Sequence, residues 1–219
     1  MPNTYEWNSR NQAEGNAFLK DLPNDFAKIV FLDPQYRGVL DYLNYGNEGE
    51  GREAERCALP QMVDEIPEFI REIHRVLLPS GHLFLWMDKF HLVSGSFHEW
   101  LTDTGFFIVD MMVWNKGKMG MGYRTRRCSE FLVILQKAPK RAKDVWKVHD
   151  IRDIWIEGIT RSKKNRAHPH QKPLNLHIRL IEAVSEEGDI VVDPAAGSFM
   201  VLEACRATNR MFLGCDING

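Results

Sequence analysis

The sequence predicts an open, mainly parallel α/β sheet with helices on both faces. Two observations predict it: short apolar runs alternate with stretches of helical periodicity, and three of those runs end in acid-bearing loops. In such sheets ligands bind beyond the carboxyl ends of the strands, where the strand order reverses.

Each element follows from local composition. Asp25–Leu32 contains the apolar run Ile29-Val30-Phe31-Leu32, a buried strand that stops at Asp33-Pro34. Asn44–Glu55 is rich in Gly, Glu and Asn without apolar periodicity and reads as a mobile loop, bounded at 38–59. Met62, Ile66, Phe69, Ile70, Ile73, Val76 and Leu77 have helical spacing; Pro79-Ser80-Gly81 stops that helix and His82–Met87 follows as a strand. A helix is expected at Phe97–Leu101, then strands at Phe106–Trp114 and Glu130–Gln136, joined by the basic, Gly-rich loop Asn115–Arg127. Pro173–Val184 is amphipathic, Asp189–Val192 a short strand, Phe199–Thr208 a helix and Met211–Cys215 the last strand.

The length of 219 residues suits one domain over 1–219. No secretion or lipidation signal is visible, and no apolar run approaches the ~20 residues of a membrane span, so a cytoplasmic protein without a membrane partner is expected. Cys57, Cys128, Cys205 and Cys215 are scattered without a CxxC pair, which excludes a zinc knuckle; no metal is expected, and the thiols read as buried and free. The net charge of −2 conceals an asymmetry. Lys116–Lys172 holds 16 Lys and Arg against 5 Asp and Glu, a balance of +11, while the remainder carries −13. One basic face on an otherwise acidic protein is the footprint of a nucleic-acid partner.

Three motifs carry chemistry. Asp193-Pro194-Ala195-Ala196-Gly197-Ser198-Phe199 follows a strand with a tight small-residue loop and a helix start, where backbone N–H donors meet a ligand. GxGxxG is lacking, so the ligand is not a pyrophosphate. Asp216 ends another strand 23 residues after Asp193, spaced to accept hydrogen bonds from two ribose hydroxyls. Asp33-Pro34-Gln35-Tyr36 leaves the strand Ile29–Leu32. An exocyclic base amine is a poor nucleophile, because its lone pair is delocalised into the ring. The Asp33 carboxylate and Pro34 carbonyl can grip its two N–H bonds and stabilise the charge that develops on attack. Tyr36 offers a face on which an extruded base can stack. No Pro-Cys nucleophile is present, which argues against covalent attack on a ring carbon.

Together these residues resemble the amino-group DNA methyltransferases of the β arrangement, in which the catalytic motif precedes the cofactor motif. Asp33–Tyr36 is similar to that family's (D/S/N)PP(Y/F) box, His168-Pro169-His170-Gln171-Lys172-Pro173 to its HPxQKP segment, Asp193–Phe199 to DPFxGSG, and Met211–Asp216 to the strand whose acid binds ribose. Gly15-Asn16-Ala17-Phe18 resembles the element that contacts the cofactor's adenine ring. The resemblance implies a single permuted Rossmann-like sheet with an antiparallel strand near one edge, and the cofactor S-adenosyl-L-methionine. Its pocket would be lined by Asn16, Ala17, Asp33, His168, Lys172, Pro173, Asp193, Ala195, Gly197, Ser198, Phe199 and Asp216. Three residues depart from the pattern: Gln35 replaces a proline, Asn16 an aspartate, and Phe199 a glycine, which would make the loop bulkier. The strand beyond Asp216 in the sheet is expected from the segment around Ala13–Leu19.

The resemblance also implies a DNA partner, a homodimer, and the cytoplasm of a bacterial, archaeal or phage-infected cell. Lys116, Lys118, Arg124, Arg126 and Arg127, with Lys163, Lys164 and Arg166, are the residues expected to neutralise phosphates. A short target-recognition insert is expected over 138–167; Trp146 and Trp155 within it read as core. Asp at the head of the catalytic box favours adenine N6. Cytosine N4, RNA or a protein glutamine as acceptor, and a non-catalytic DNA- or cofactor-binding module, stay open at this point.

Overall fold

The computed structural model describes residues 4–34, 64–120, 124–158 and 171–219. Its strands are β1 (Asn11–Gln12), β2 (Ala27–Leu32), β3 (Leu77–Met87), β4 (Phe106–Asn115), β5 (Ser129–Lys137), β6 (Ile154–Ile156), β7 (Ile190–Asp193) and β8 (Met211–Asp216), in one eight-stranded sheet ordered β1-β8-β7-β2-β3-β5-β4-β6. Every pairing is parallel except those of β5 with β3 and β4, so β5 is the antiparallel strand foreseen near one edge.

Both faces of the central strands are covered, which is why their sequences are continuously apolar rather than alternating. Val30 and Leu32 point into one core with Leu83, Leu85 and Val192; Ile29 and Phe31 point into another with Phe84, Trp86 and Val191. Helices α1 (Gly15–Asp21) and α2 (Ile66–Val76) cover the first face. Short helices α3 (Lys89–Ser94) and α4 (Ser96–Leu101) follow β3, and Phe97 and Trp100 of α4 join the same core. Helices α5 (Leu174–Val184) and α6 (Met200–Thr208) cover the second face.

Three local expectations are corrected. Leu77 opens β3 instead of closing the helix: its N–H still caps α2 through Ile73 O, but its backbone is already extended. Pro79-Ser80-Gly81 lies in an irregularity inside β3, across which the partner register jumps from Ala27↔Leu77 to Ile29↔His82, with Ser80 at φ 60°. Secondly, the strand beside β8 is Asn11–Gln12, while Gly15–Asp21 is helical. The Glu14 carboxylate accepts from the Asn16 and Ala17 N–H groups at 2.7 Å, and this cap starts the helix before a strand can extend. Thirdly, Cys205 and Cys215 are buried but Cys128, on the β4–β5 hairpin, is exposed. Cys57 and the loop at 38–59 lie outside the described residues.

Part of the 138–167 segment completes the sheet. β6 adds to β4 through Val113↔Ile154, and Trp146 and Trp155 pack against the second core, as core residues should. Among the described residues no helix is long and apolar enough to cross a membrane, and no cluster of His, Cys, Asp and Glu is arranged to hold a metal ion.

Candidate active site

On one flank of β2 the sheet continues through β3, β5, β4 and β6, all later in the chain, whereas β7 and β8 lie on the other flank. The β2–β7 seam is thus a switch in strand order, the place where open α/β sheets bind ligands. Val30 stands beside Val192 across it. Asp33, three residues further on, and Asp193, one residue further on, therefore leave adjacent strands in the same direction. At about 3.3 Å per residue and about 4.8 Å between strands, their backbones lie about 8 Å apart. The two motifs leave the same end of the sheet side by side.

On the β7 side, Ala196 N–H donates to Cys215 O at 2.9 Å and Phe199 N–H to Ala196 O at 2.7 Å, folding residues 194–199 into a tight turn. Gly197 has φ 49° with open space where a Cβ would stand, and its N–H donates to Asp216 Oδ2 at 3.0 Å. Asp216 Oδ1 accepts from Asn218 N–H at 2.9 Å, which orients the carboxylate while leaving lone pairs on both oxygens. Helix α1 abuts this turn: a Cβ on Gly15 would come within 2.4 Å of Pro194 O, so only glycine permits the approach. The neighbouring Asn16 is buried, and its Oδ1 has no hydrogen-bond partner among the described residues. Burial pushes the Asp193 carboxyl well above the usual carboxylate range; Ala195 N–H, donating at 3.1 Å, opposes this, and the Asp33 and Asp216 charges add to it. Asp33, Asp193 and Asp216 thus stand near one another at the carboxyl ends of β2, β7 and β8.

Phe199 departs from expectation. Its backbone is left-handed (φ 58°, ψ 34°), the conformation in which a glycine is least strained, yet its ring is fully buried in the second core. The ring lies edge-on to Phe212, with Arg10 5.1 Å from its centroid. The extra bulk is absorbed inside the protein and does not thicken the loop.

On the β2 side the structure assembles a row of charges. Lys172 Nζ lies 2.8 Å from Asp33 Oδ2 and 2.8 Å from Glu130 Oε2, and Lys116 Nζ lies 2.5 Å from Glu130 Oε1. Burial opposes the Lys172 charge, but Asp33 and Glu130 outweigh it and push the ammonium up to about 12. Burial likewise opposes the Glu130 charge, and Lys172 and Lys116 outweigh it, bringing the carboxyl down to about 2. Lys172, expected beside the cofactor, stands between two acids, one of them Asp33, and Lys116, expected on phosphate, is half-buried against Glu130.

The family model N6_N4_Mtase, DNA methylase, matches residues 27–219. The chain belongs to this DNA methylase family. It is 52% identical over 212 residues to the Type II methyltransferase M.HhaII of Haemophilus parahaemolyticus, covering 96% of this chain and 91% of the relative. It is 28% identical to the DNA adenine methyltransferase YhdJ of Escherichia coli K12, over 92% of this chain and 76% of that one. Two solved structures share the fold. A complex of M1.HpyAVI with SAM has TM-score 0.69 at 21% identity, covering 95% of this chain and 92% of that one. The cytosine-N4-specific PvuII DNA methyltransferase has TM-score 0.70 at 17% identity, covering 95% and 81%.

The outer rim of this DNA methylase is basic. Lys118, Arg124 and Arg126 are exposed and Arg127 half-buried on the β4–β5 hairpin, at the sheet edge from which Asp33 emerges. Sequence reasoning missed two residues. Phe90, on α3 just past β3, has Lys89 at 5.3 Å and Arg127 at 5.8 Å over its ring. Glu130 was missed because it stands near the start of a strand and not at its end; in an antiparallel strand the first residues stand at the carboxyl edge of its parallel neighbours. Gln35, Tyr36, Lys163, Lys164, Arg166 and His168 lie outside the described residues.

Proposed function

We propose that this DNA methylase transfers the methyl group of S-adenosyl-L-methionine to the exocyclic N6 amine of adenine in DNA. The observation that carries the reading is the β2–β7 seam, which sets Asp33 and the 193–199 turn at the carboxyl ends of adjacent parallel strands. The residues there fit the cofactor: Asp216 can accept ribose hydroxyls, and the buried Asn16 Oδ1 acceptor has no partner among the described residues. When bound, S-adenosyl-L-methionine supplies an electrophilic methyl group. The Asp33 carboxylate and Pro34 carbonyl accept the two N–H bonds of the target amine, returning electron density to nitrogen as the N–CH3 bond forms and the S–CH3 bond breaks. The surplus proton then leaves to water. Tyr36 stacks on the flipped base, and Phe90 with the hairpin arginines receives the surrounding strand.

Adenine is favoured because Asp opens the catalytic box and because the Escherichia coli relative is an adenine enzyme. The segment 138–167 serves as a short target-recognition insert, and the protein works in the cytoplasm. A homodimer is supported by exposed Phe107, Ile108, Val109 and Met111 on β4, whose pairing with β6 begins only at Val113. A monomeric mass in analytical ultracentrifugation at micromolar concentration would remove that part.

Incubation with tritiated S-adenosyl-L-methionine and unmethylated duplex DNA, then digestion to nucleosides, tests the rest. N6-methyladenine is expected, and Asp33→Ala abolishes it. N4-methylcytosine would overturn the choice of base. Cofactor binding without label in DNA would leave a binding module, and label in RNA or protein alone would overturn the choice of substrate.

A further inference from the structure

We infer that Glu130 and Lys116 are positioning residues for methyl transfer: Lys116 anchors Glu130, Glu130 holds the Lys172 ammonium, and Lys172 thereby fixes the Asp33 carboxylate toward the target amine. The inference rests on the reading of Asp33 as the group that grips the amine.

A lysine is a poor orienting group unless its head is pinned, because its four-carbon stem is flexible and its ammonium has no directional fork. Here the head is pinned from three sides. Lys172 Nζ lies 2.8 Å from an oxygen of each of Asp33 and Glu130, and 5.0 Å from the Trp86 ring centroid. With only 13% of the Lys172 side chain exposed, water cannot substitute for these partners. Glu130 is pinned in turn. It faces Trp114 in the β4–β5 register, and Lys116, two residues beyond Trp114, holds its other oxygen with the ammonium 5.5 Å from the Trp114 ring centroid. The charges alternate in sign along the row and sum to zero, which lets it persist half-buried. The row spans the carboxyl ends of β2, β3 and β4 and the start of β5, so its geometry is set by the sheet. Lys172 and Glu130 hold their charges throughout the neutral range and transmit position, not protons.

The alternative role for Lys116, a phosphate contact, makes a different prediction for a double-mutant cycle. Single-turnover methyl transfer is measured for wild type, Glu130→Gln, Lys116→Gln and the double variant, with cofactor and DNA affinities by fluorescence. Glu130→Gln slows transfer by about 10- to 100-fold, the range that a displaced acceptor produces, while both affinities stay within about twofold. Lys116→Gln slows it less, and the double variant is no slower than Glu130→Gln. Losses that multiply in the double variant, an unchanged rate in Glu130→Gln, or a loss traced to affinity or to a lowered thermal midpoint would overturn the inference. If Glu130→Gln does not fold, Lys116→Gln decides: slower transfer with an unaltered salt slope of DNA binding upholds the relay, and a shallower slope overturns it. A wild type that cannot label DNA would instead end the reading of Asp33 itself.

Discussion

Lowering the pH from 7.5 to 5 should destabilise the protein through His177 and His82. His177 sits on α5 with its ring edge-on to Phe31 at 4.9 Å and Trp86 at 6.0 Å, and neither ring nitrogen has a hydrogen-bond partner among the described residues. Burial, with the nearby Lys172 charge, brings its imidazole down to about 3. Burial, with Lys28, brings His82 down to about 4. An unfolded histidine protonates near 6.5. Both folded values lie below that, so this stability is fully present above about pH 6.5 and is lost as pH falls toward the folded values. At pH 5 the loss is about 2 kcal/mol per histidine, or about 4 kcal/mol together, a large share of an ordinary domain's stability. Glu130, lowered to about 2, costs stability only below the ordinary carboxylate range; Asp193, raised, regains some as pH falls. The comparison of wild type with His177→Leu isolates one imidazole from these. Leucine has a similar volume and needs no polar partner, so at pH 7.5 the two should agree within about 1.5 kcal/mol. By pH 5 the balance should have moved about 2 kcal/mol in the variant's favour. Urea unfolding followed by tryptophan fluorescence at pH 7.5, 6 and 5 gives the comparison. Stability curves that run parallel across that range would refute the buried, neutral imidazole.

Three other changes probe the site and its rim. Asp216→Ala removes the acceptor of the Gly197 and Asn218 N–H groups, and calorimetry should find cofactor affinity weakened by about tenfold or more while DNA affinity is kept; an undiminished cofactor affinity would deny Asp216 its ribose role. Phe199→Gly exchanges a fully buried ring for backbone relief, so chemical denaturation should register a net loss of about 2–4 kcal/mol; tighter cofactor binding at unchanged stability would mean that the ring obstructs the loop after all. Arg126→Ala combined with Arg127→Ala should make the salt dependence of DNA binding shallower by about two contacts, and an unaltered slope would take the hairpin out of the interface.

Much of the sheet could be read from the chain because both faces of its centre are dry: Ile29 to Leu32 and Ile190 to Val192 are apolar at consecutive positions, as a strand covered on two sides requires. Asp33, Asp193 and Asp216 were visible because each interrupts such a run where a parallel strand ends. The remainder depends on tertiary neighbours. A lysine's place in a sequence does not reveal whether its head meets phosphate, cofactor or carboxylate, and Lys116 and Lys172 both found carboxylates. The bulge that carries β3 past Pro79-Ser80-Gly81 is stabilised by pairing with β2, a partner far away in sequence. Phe199 looked like an obstruction because local pattern assigns bulk to a loop without showing which side of the backbone carries it.

The seam between β2 and β7 also governs when the protein can act. Its two sides come from stretches of chain 160 residues apart, which the β2–β7 pairing sets side by side. On the proposed roles of Asp33 and the 193–199 turn, a partly folded form with only one flank of the sheet owns one half of the site, never both. Methyl transfer therefore reports on completion of the whole sheet, and in rising denaturant it should vanish together with the cooperative loss of structure.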